Sequence, residues 1–393
     1  MKNTLNMIDR IVLVDNCNFI DFPIGGQLTF AKQLLETFSD NILLVGITTN
    51  KNQKIGNWTK IEIDGCSFDY LPVLYRKNTT DKPFIPARIQ WTLALLWNLK
   101  SVKKSKIRVF LTQDINSLYP VNKIKDCIKI HVSAGLNNPF VQTRYRWSKV
   151  FKNIFHKFWT KQLSKATYIF AAADDETIIK FIKHSPYLGG KPIHKLPTRF
   201  NEKIFYPQEK HECRKKLNIK ISSKVIVTSG RISKGKGWDL LLDSFEIVHS
   251  KYPDSYFIYL GDGEDRANLE DEIKRKNINN FLLKGNVSPE ILSTYLSASD
   301  LFVMGSYMEG WSTSIVEALA CGKNIVTTKV SSAEEMVKDE LNGFVIKERS
   351  AQEFAKKIID SFILIDPNPI SINIVESFKL SKLKSEFFKI WQS

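Results

Sequence analysis

Two glutamates, Glu309 and Glu317, stand eight residues apart and bracket Gly310-Trp311-Ser312-Thr313-Ser314-Ile315-Val316. The run closes on Ala318-Leu319-Ala320-Cys321-Gly322, and an apolar stretch, Leu301 to Met304, leads into it through Gly305-Ser306-Tyr307. A strand, a loop carrying one carboxylate and a helix opening on hydroxyl residues make an anion cradle, because a helix's first turn leaves its N–H donors unpaired. Ser312 to Ser314 would supply those donors, and Glu317 would fall about one turn into the helix, on the face toward the loop. One carboxylate near a phosphate is ordinary; two flanking an anion site suit a ligand that also carries hydroxyls. A nucleotide-sugar fits, with N–H groups for its phosphates and carboxylates for ribose and hexose hydroxyls.

A second constellation is Gly230-Arg231-Ile232-Ser233-Lys234-Gly235-Lys236-Gly237, directly after the apolar run Val225 to Thr228. Glycines let backbone approach an anion closely, while Arg and Lys supply fixed and mobile positive charge. Departure of a nucleotide from a sugar develops negative charge on the distal phosphate, so two cations there lower the barrier. It is not a Walker loop, which needs a hydroxyl residue after the Lys where Gly237 stands. The bland alternative is a solvated turn with incidental lysines.

Around these residues the chain must build strands and helices in alternation. In the first half, 10–15 and 41–47 read as continuous apolar strands, joined by Pro23-Ile24-Gly25-Gly26 and an amphipathic helix from Gln27 with Leu28, Ala31, Leu34, Leu35 and Phe38 at helical spacing. Further strands are expected at 109–112, 128–132 and 168–172, and helices at 84–104 and 142–165. The second half restarts the pattern. Strands are expected at 225–228, 256–260, 281–284, 301–304 and 325–328, and helices at 238–249, 267–276, 289–298, 312–320 and 351–362. Such alternation signals parallel α/β architecture. Three segments are expected: a Rossmann-like domain over 1–200, a second over 201–375, and a terminal amphipathic helix over 376–393 packing back toward the first domain. Two Rossmann-like halves facing across a cleft suit a reaction between two separately bound substrates.

At 393 residues and 43% hydrophobic content, two packed cores are expected. No apolar stretch reaches the roughly 20 residues of a spanning helix, and the N-terminus shows no secretory pattern. The five cysteines (17, 66, 127, 213, 321) are odd in number and lack Cys-x-x-Cys spacing, which points to a reducing cytosol and away from disulfides or structural zinc. The formal charge of +16 lies wholly in residues 1–200, and 100–165 holds 15 basic against 2 acidic residues. Trp91, Trp97, Trp147 and Trp159 are interleaved with these lysines and arginines. Such segments suit an anionic membrane surface, and equally a core-packed helix with a solvated basic face. No nucleic-acid motif accompanies the charge.

Together the motifs resemble the retaining glycosyltransferases of family 4, of the bacterial surface-polysaccharide type, with the two-domain GT-B fold. The resemblance rests on Gly25-Gly26, Gly230-Arg231 through Lys236-Gly237, Gly261-Asp262-Gly263 and Ser299-Asp300 through Ser306. It continues through Glu309 to Gly322, and then Glu334-Glu335 through Gly343 and Ile346. It covers the second half strongly and the first half weakly, and under it the first domain would bind acceptor and the second the nucleotide-sugar. It implies that Arg231 and Lys236 hold the donor diphosphate, that Glu309 meets the transferred sugar and that Glu317 meets the ribose. N–H groups near Trp311, Ser312 and Thr313, with Gly230, Gly261 and Gly310, would line the donor pocket. Gly25 and Gly26 would let backbone approach from the other domain, and His131, after a strand at 128–130, would lie near the donor sugar. A lone His at a strand end is otherwise structural. The donor would be a UDP-sugar in preference to a GDP-sugar, and a substrate, with no cofactor. The acceptor would be a glycan or lipid-linked glycan. The implied chemistry is metal-independent front-face displacement at the cytoplasmic face of the inner membrane, in polysaccharide or lipopolysaccharide assembly.

Two departures stand out. Trp311-Ser312-Thr313-Ser314 adds bulk and hydroxyls where the family has Phe-Gly or Pro, and Pro197-Thr198-Arg199-Phe200 replaces the usual Asn-Gly. Arg199 could contact phosphate or cap the hinge. Asp174-Asp175-Glu176 superficially resembles a metal motif of the other main glycosyltransferase fold, but suits the start of a solvated helix. Other readings are a GT-B sugar-nucleotide epimerase, a phosphorylase-like enzyme, or a non-catalytic partner that keeps the fold for binding. Intact Arg231, Lys236, Glu309 and Glu317 weigh against the last.

Overall fold

The computed structural model describes residues 10–23, 25–77, 84–138 and 150–392. The chain divides between Pro197 and Thr198 into two units. In the first, β1 (Ile11–Val14) is followed by α1 (Gly26–Phe38), β2 (Ile42–Thr48), β3 (Thr59–Ile63) and β4 (Cys66–Tyr75). Then come α2 (Ala87–Trp97), α3 (Leu99–Lys103), β5 (Val109–Thr112), α4 (Ile115–Val121) and β6 (Ile128–Ser133). α5 (Lys152–Leu163), β7 (Tyr168–Ala171), α6 (Asp175–Lys183) and β8 (His194–Lys195) complete the unit.

The strand order is β3-β4-β2-β1-β5-β6-β7-β8, parallel throughout except for the β3–β4 pair. Every residue of β1 and β2 is buried, as continuous apolar strands covered on both faces must be. α1 buries Leu28, Ala31, Leu34, Leu35 and Phe38, the stripe its spacing predicts. Sequence reasoning missed the β3–β4 hairpin although it carries a strong short-range signal. Asp64-Gly65 is a two-residue turn with positive φ at both positions (49° and 79°), which suits the right-handed twist of paired strands.

In the second unit, α7 (Lys210–Lys216) leads to β9 (Val225–Ser229), α8 (Trp238–Lys251), β10 (Tyr256–Leu260), α9 (Arg266–Arg275) and β11 (Phe281–Leu283). α10 (Pro289–Ala298), β12 (Leu301–Met304), α11 (Thr313–Ala320), β13 (Ile325–Thr328), α12 (Ala333–Met336) and β14 (Gly343–Ile346) follow. α13 (Ala351–Ser361), α14 (Pro369–Val375) and α15 (Leu383–Gln392) end it. The sheet, β11-β10-β9-β12-β13-β14, is all parallel. Its elements from β9 to β13 fall within two residues of the bounds expected from sequence.

Two polar clusters brace this unit. Asp300, just before β12, accepts hydrogen bonds from Lys210, from Arg214 at 2.8 Å and from the Val225 N–H at 2.7 Å. Lys210 and the buried Lys323 both reach Asp366. Arg199 settles as a structural residue. Its side chain is fully buried, pairs with Glu386 of α15 and donates to the Ser377 carbonyl at 2.7 Å. Backbone bonds between Phe200 and the segment 378–380 tie the same stretch down. It therefore offers no guanidinium to a phosphate. Asp174 likewise takes the solvated-helix reading, accepting from the Thr177 N–H at 2.7 Å as the N-cap of α6.

Candidate functional site

In the second sheet chain order runs one way from β9 through β10 to β11, and the other way from β12 through β13 to β14. The crevice outside the carboxyl ends of β9 and β12 is therefore the topological switch point, where open α/β sheets bind ligands. Both loops singled out from sequence leave the sheet there: 230–237 after β9 and 305–312 after β12. The structure brings them into contact. Lys236 Nζ donates to Glu309 Oε1 at 2.6 Å, and the Tyr307 N–H donates to the Gly235 carbonyl at 2.9 Å.

Glycine is required where these loops touch. A Cβ on Gly237, at φ +67°, would sit 2.0 Å from the Gly305 carbonyl oxygen. One on Gly261, at φ +148°, would sit 1.9 Å from the Gly230 carbonyl oxygen. Gly230 itself faces open space. Arg231 is exposed on the loop, and its backbone carbonyl accepts from the Tyr259 hydroxyl at 3.2 Å.

α11 opens as expected, one residue later. Ser312 is its N-cap, with the side chain accepting from the Ile315 N–H at 3.4 Å. That hydroxyl is buried beside the Met304 sulfur, where it caps the helix, and the free donors of the first helical turn are the N–H groups of Thr313 and Ser314. Gly310 and Thr313 are half-buried, and buried Trp311 packs edge-on against Phe378 at 5.6 Å between ring centroids. Glu317 lies in the middle of α11, half-buried, and desolvation pushes its carboxyl up to about 8.

Arg349 escaped sequence reasoning. It follows β14, donates to the Gly305 carbonyl at 2.7 Å and stacks its guanidinium on the Tyr307 ring at 3.5 Å. It thereby braces the turn that carries Glu309. No local pattern announces it, because its partners lie about 40 residues upstream and meet it only through the β12–β13–β14 order.

In the first unit the switch point lies between β1 and β5. Gly25 and Gly26 stand at the start of α1 after β1, with Ile24 outside the described residues. His131 lies inside β6, paired with Thr112 of β5, within the strand expected over 128–132. Its side chain is 1% exposed, its Nδ1 is 3.0 Å from Thr112 Oγ1, and burial lowers its pKa to about 3. It is a neutral imidazole at physiological pH, able to exchange hydrogen bonds but not to serve as a cation. Among the described residues no group of three or more His, Cys, Asp or Glu is placed to hold a metal ion.

Residues 209–366 match the family model described as Glycosyl transferases group 1. An uncharacterized glycosyltransferase of Methanocaldococcus jannaschii is 26% identical over 304 residues, which covers 73% of this chain and 74% of that one. A 2-deoxystreptamine N-acetyl-D-glucosaminyltransferase of Niallia circulans is 33% identical, but the aligned stretch spans only 28% of either chain. Among solved structures, sucrose-phosphate synthase from Thermosynechococcus elongatus superposes with a TM-score of 0.78 at 16% identity, covering 98% of both chains. HepE of Anabaena in complex with UDP and glucose gives a TM-score of 0.71 at 15% identity, covering 97% of this chain and 99% of that one. The fold shared with these structures over nearly the whole length, two Rossmann-like sheets, one mixed and one parallel, is of the GT-B type. The stretch that matches the glycosyl transferases group 1 model, 209–366, lies wholly within the second unit.

Proposed function

We propose that the protein is a retaining transferase of the family 4 type. It moves a sugar from a nucleotide diphosphate donor, UDP-linked in preference to GDP-linked, to a glycan or lipid-linked glycan in surface polysaccharide or lipopolysaccharide assembly. The observation that carries this reading is the Lys236–Glu309 contact at the switch point of the second sheet. It sets a phosphate-seeking cation beside a hydroxyl-seeking carboxylate, the pair that a sugar phosphate requires. Support for a UDP-sugar comes from the fold neighbour that holds UDP and glucose.

Without donor the ammonium of Lys236 neutralises Glu309. A distal phosphate would compete for that ammonium and release the Glu309 carboxylate to the hydroxyls of the sugar. Arg231 would add fixed charge from the outer side of the loop, and the N–H groups of Thr313 and Ser314 would receive phosphate oxygens. Glu317 would meet the ribose. In front-face displacement the C1–O bond to phosphate breaks while C1 bonds to the acceptor oxygen on the same face. The departing phosphate oxygen takes the acceptor's proton, and Arg231 and Lys236 stabilise the charge left on the diphosphate. No protein nucleophile is required.

A panel of nucleotide-sugars, with release of free nucleotide as readout, tests this reading. Slow hydrolysis of one or a few UDP-sugars is expected; a panel in which none is bound or turned over would overturn it. Turnover should also survive EDTA, because the charge of the leaving group is met by Arg231 and Lys236. Loss that manganese or magnesium restores would show that a metal takes their part.

A further inference from the structure

We infer that the outward face of α2, with that of α5 on the same side of the sheet, docks on an anionic lipid surface. Trp91 and Leu95 of α2 are fully buried in the core. Residues two positions away lie roughly 200° round a helix, so Ile89, Leu93 and Trp97 form a row on the opposite side. All three are exposed, Leu93 at 59% and Trp97 at 90%, and Phe84 and Ile85, just before the helix, are exposed as well. Three large apolar side chains in one row, with two more exposed just before the helix, are more than scattered surface residues.

α4 links this helix to α5. The Trp91 indole N–H donates to Ser117 of α4 at 2.9 Å, and Tyr119 of α4 meets the Phe158 ring of α5 at 5.5 Å. α5 repeats the division: Trp159 and Leu163 are buried, whereas Phe151, Ile154 and Phe158 are exposed. The tryptophans therefore do not act alike. Trp91 and Trp159 are core residues, Trp97 is the exposed one, and Trp147 lies outside the described residues.

Charge selects the occupant. The stretch 84–113 contains no Asp or Glu, and neither does 150–165. Exposed Lys100, Lys103, Lys104 and Lys106 follow Trp97, while Lys157 and Lys161 are exposed on α5. Apolar side chains rimmed by lysines, with no carboxylate among them, match the boundary between acyl chains and anionic headgroups. A second copy of this chain would bring the same positive charge against itself. Among the described residues no helix is long and apolar enough to cross a membrane, so the contact is a surface one. The inference extends the lipid-linked acceptor proposed above, but its test reads binding without turnover.

Full-length protein should sediment with vesicles of phosphatidylcholine and phosphatidylglycerol and bind weakly to phosphatidylcholine alone. At about 1 M salt, where the Debye length is about 3 Å, it should be released. Leu93→Glu with Trp97→Glu should weaken partitioning by about a hundredfold, while leaving helical content by circular dichroism and release of nucleotide from a soluble donor unchanged. Lys103→Glu with Lys104→Glu should weaken binding to anionic vesicles alone. Equal binding to neutral vesicles, no binding to either, or variants that sediment like the wild type would overturn the inference. So would a dimer that the Leu93 and Trp97 changes dissociate, since the face would then belong to a second copy.

Discussion

Replacing Lys236 with alanine should lower turnover by about a hundredfold, and Arg231→Ala by a similar order, the range seen when one preorganised electrostatic stabiliser is removed. The two should differ in detail. Arg231 is exposed on the loop, so its loss removes charge near the diphosphate and little else. Lys236 also holds Glu309, whose side chain is only 14% exposed. Without the ammonium, that carboxylate loses its 2.6 Å partner, and the loop after β12 loses one of its ties to the loop after β9. Lys236→Ala should therefore weaken donor binding as well as the chemical step, whereas Arg231→Ala should act mainly on kcat. Glu309→Gln keeps the shape and removes the charge; it should lower kcat while leaving the phosphate contacts of Lys236 in place. Steady-state kinetics with the donor that the panel identifies separates these effects. Wild-type kcat in both the Lys236 and the Arg231 variants would remove the loop after β9 from the site.

The second unit was legible because its strands are short apolar runs buried on both faces, bounded by glycine, proline or charge. Leu301 to Met304 is such a run, and Ser288-Pro289 starts α10 by side-chain capping and a fixed φ. The loop motifs were legible because close backbone approach demands glycine at 237 and 261 whatever the ligand. What could not be read was pairing at a distance. Nothing near Lys236 announces Glu309, and nothing near Glu309 announces Arg349; strand order alone brings them together. Aromatic residues mislead for a related reason. Trp91 and Trp97 stand six residues apart in the same basic segment, yet one fills the core and the other meets water, because six residues are not a whole number of helical turns.

Asp300→Asn should cost the second unit about 3–5 kcal/mol, the range for removing one partner from a buried ion pair. Asp300 is the common acceptor for Lys210, Arg214 and the Val225 N–H, so it ties α7 to the start of β9 and of β12. Arg214 and Lys323 have side chains only 3% exposed, so neither can turn to water if the network loses charge. Burial pushes the Asp300 carboxyl up, but Lys210, Arg214 and the backbone donor outweigh it and hold the carboxyl below its ordinary value of 3.8. A carboxyl lowered on folding adds stability that is fully present above the unfolded value and is lost as pH falls through the folded one. Wild-type protein should thus lose part of its stability below about pH 4, and Asp300→Asn should show a shallower loss there because that contribution is already missing. Urea melts at neutral and acid pH check both statements; equal midpoints for the two proteins at pH 7 would mean that the network contributes nothing. Asp300 precedes β12 at the end opposite the Glu309 loop, so the folded variant should keep the donor KM of the wild type. A variant with lowered stability and altered KM would instead show that strain at one end of β12 reaches the switch point at the other.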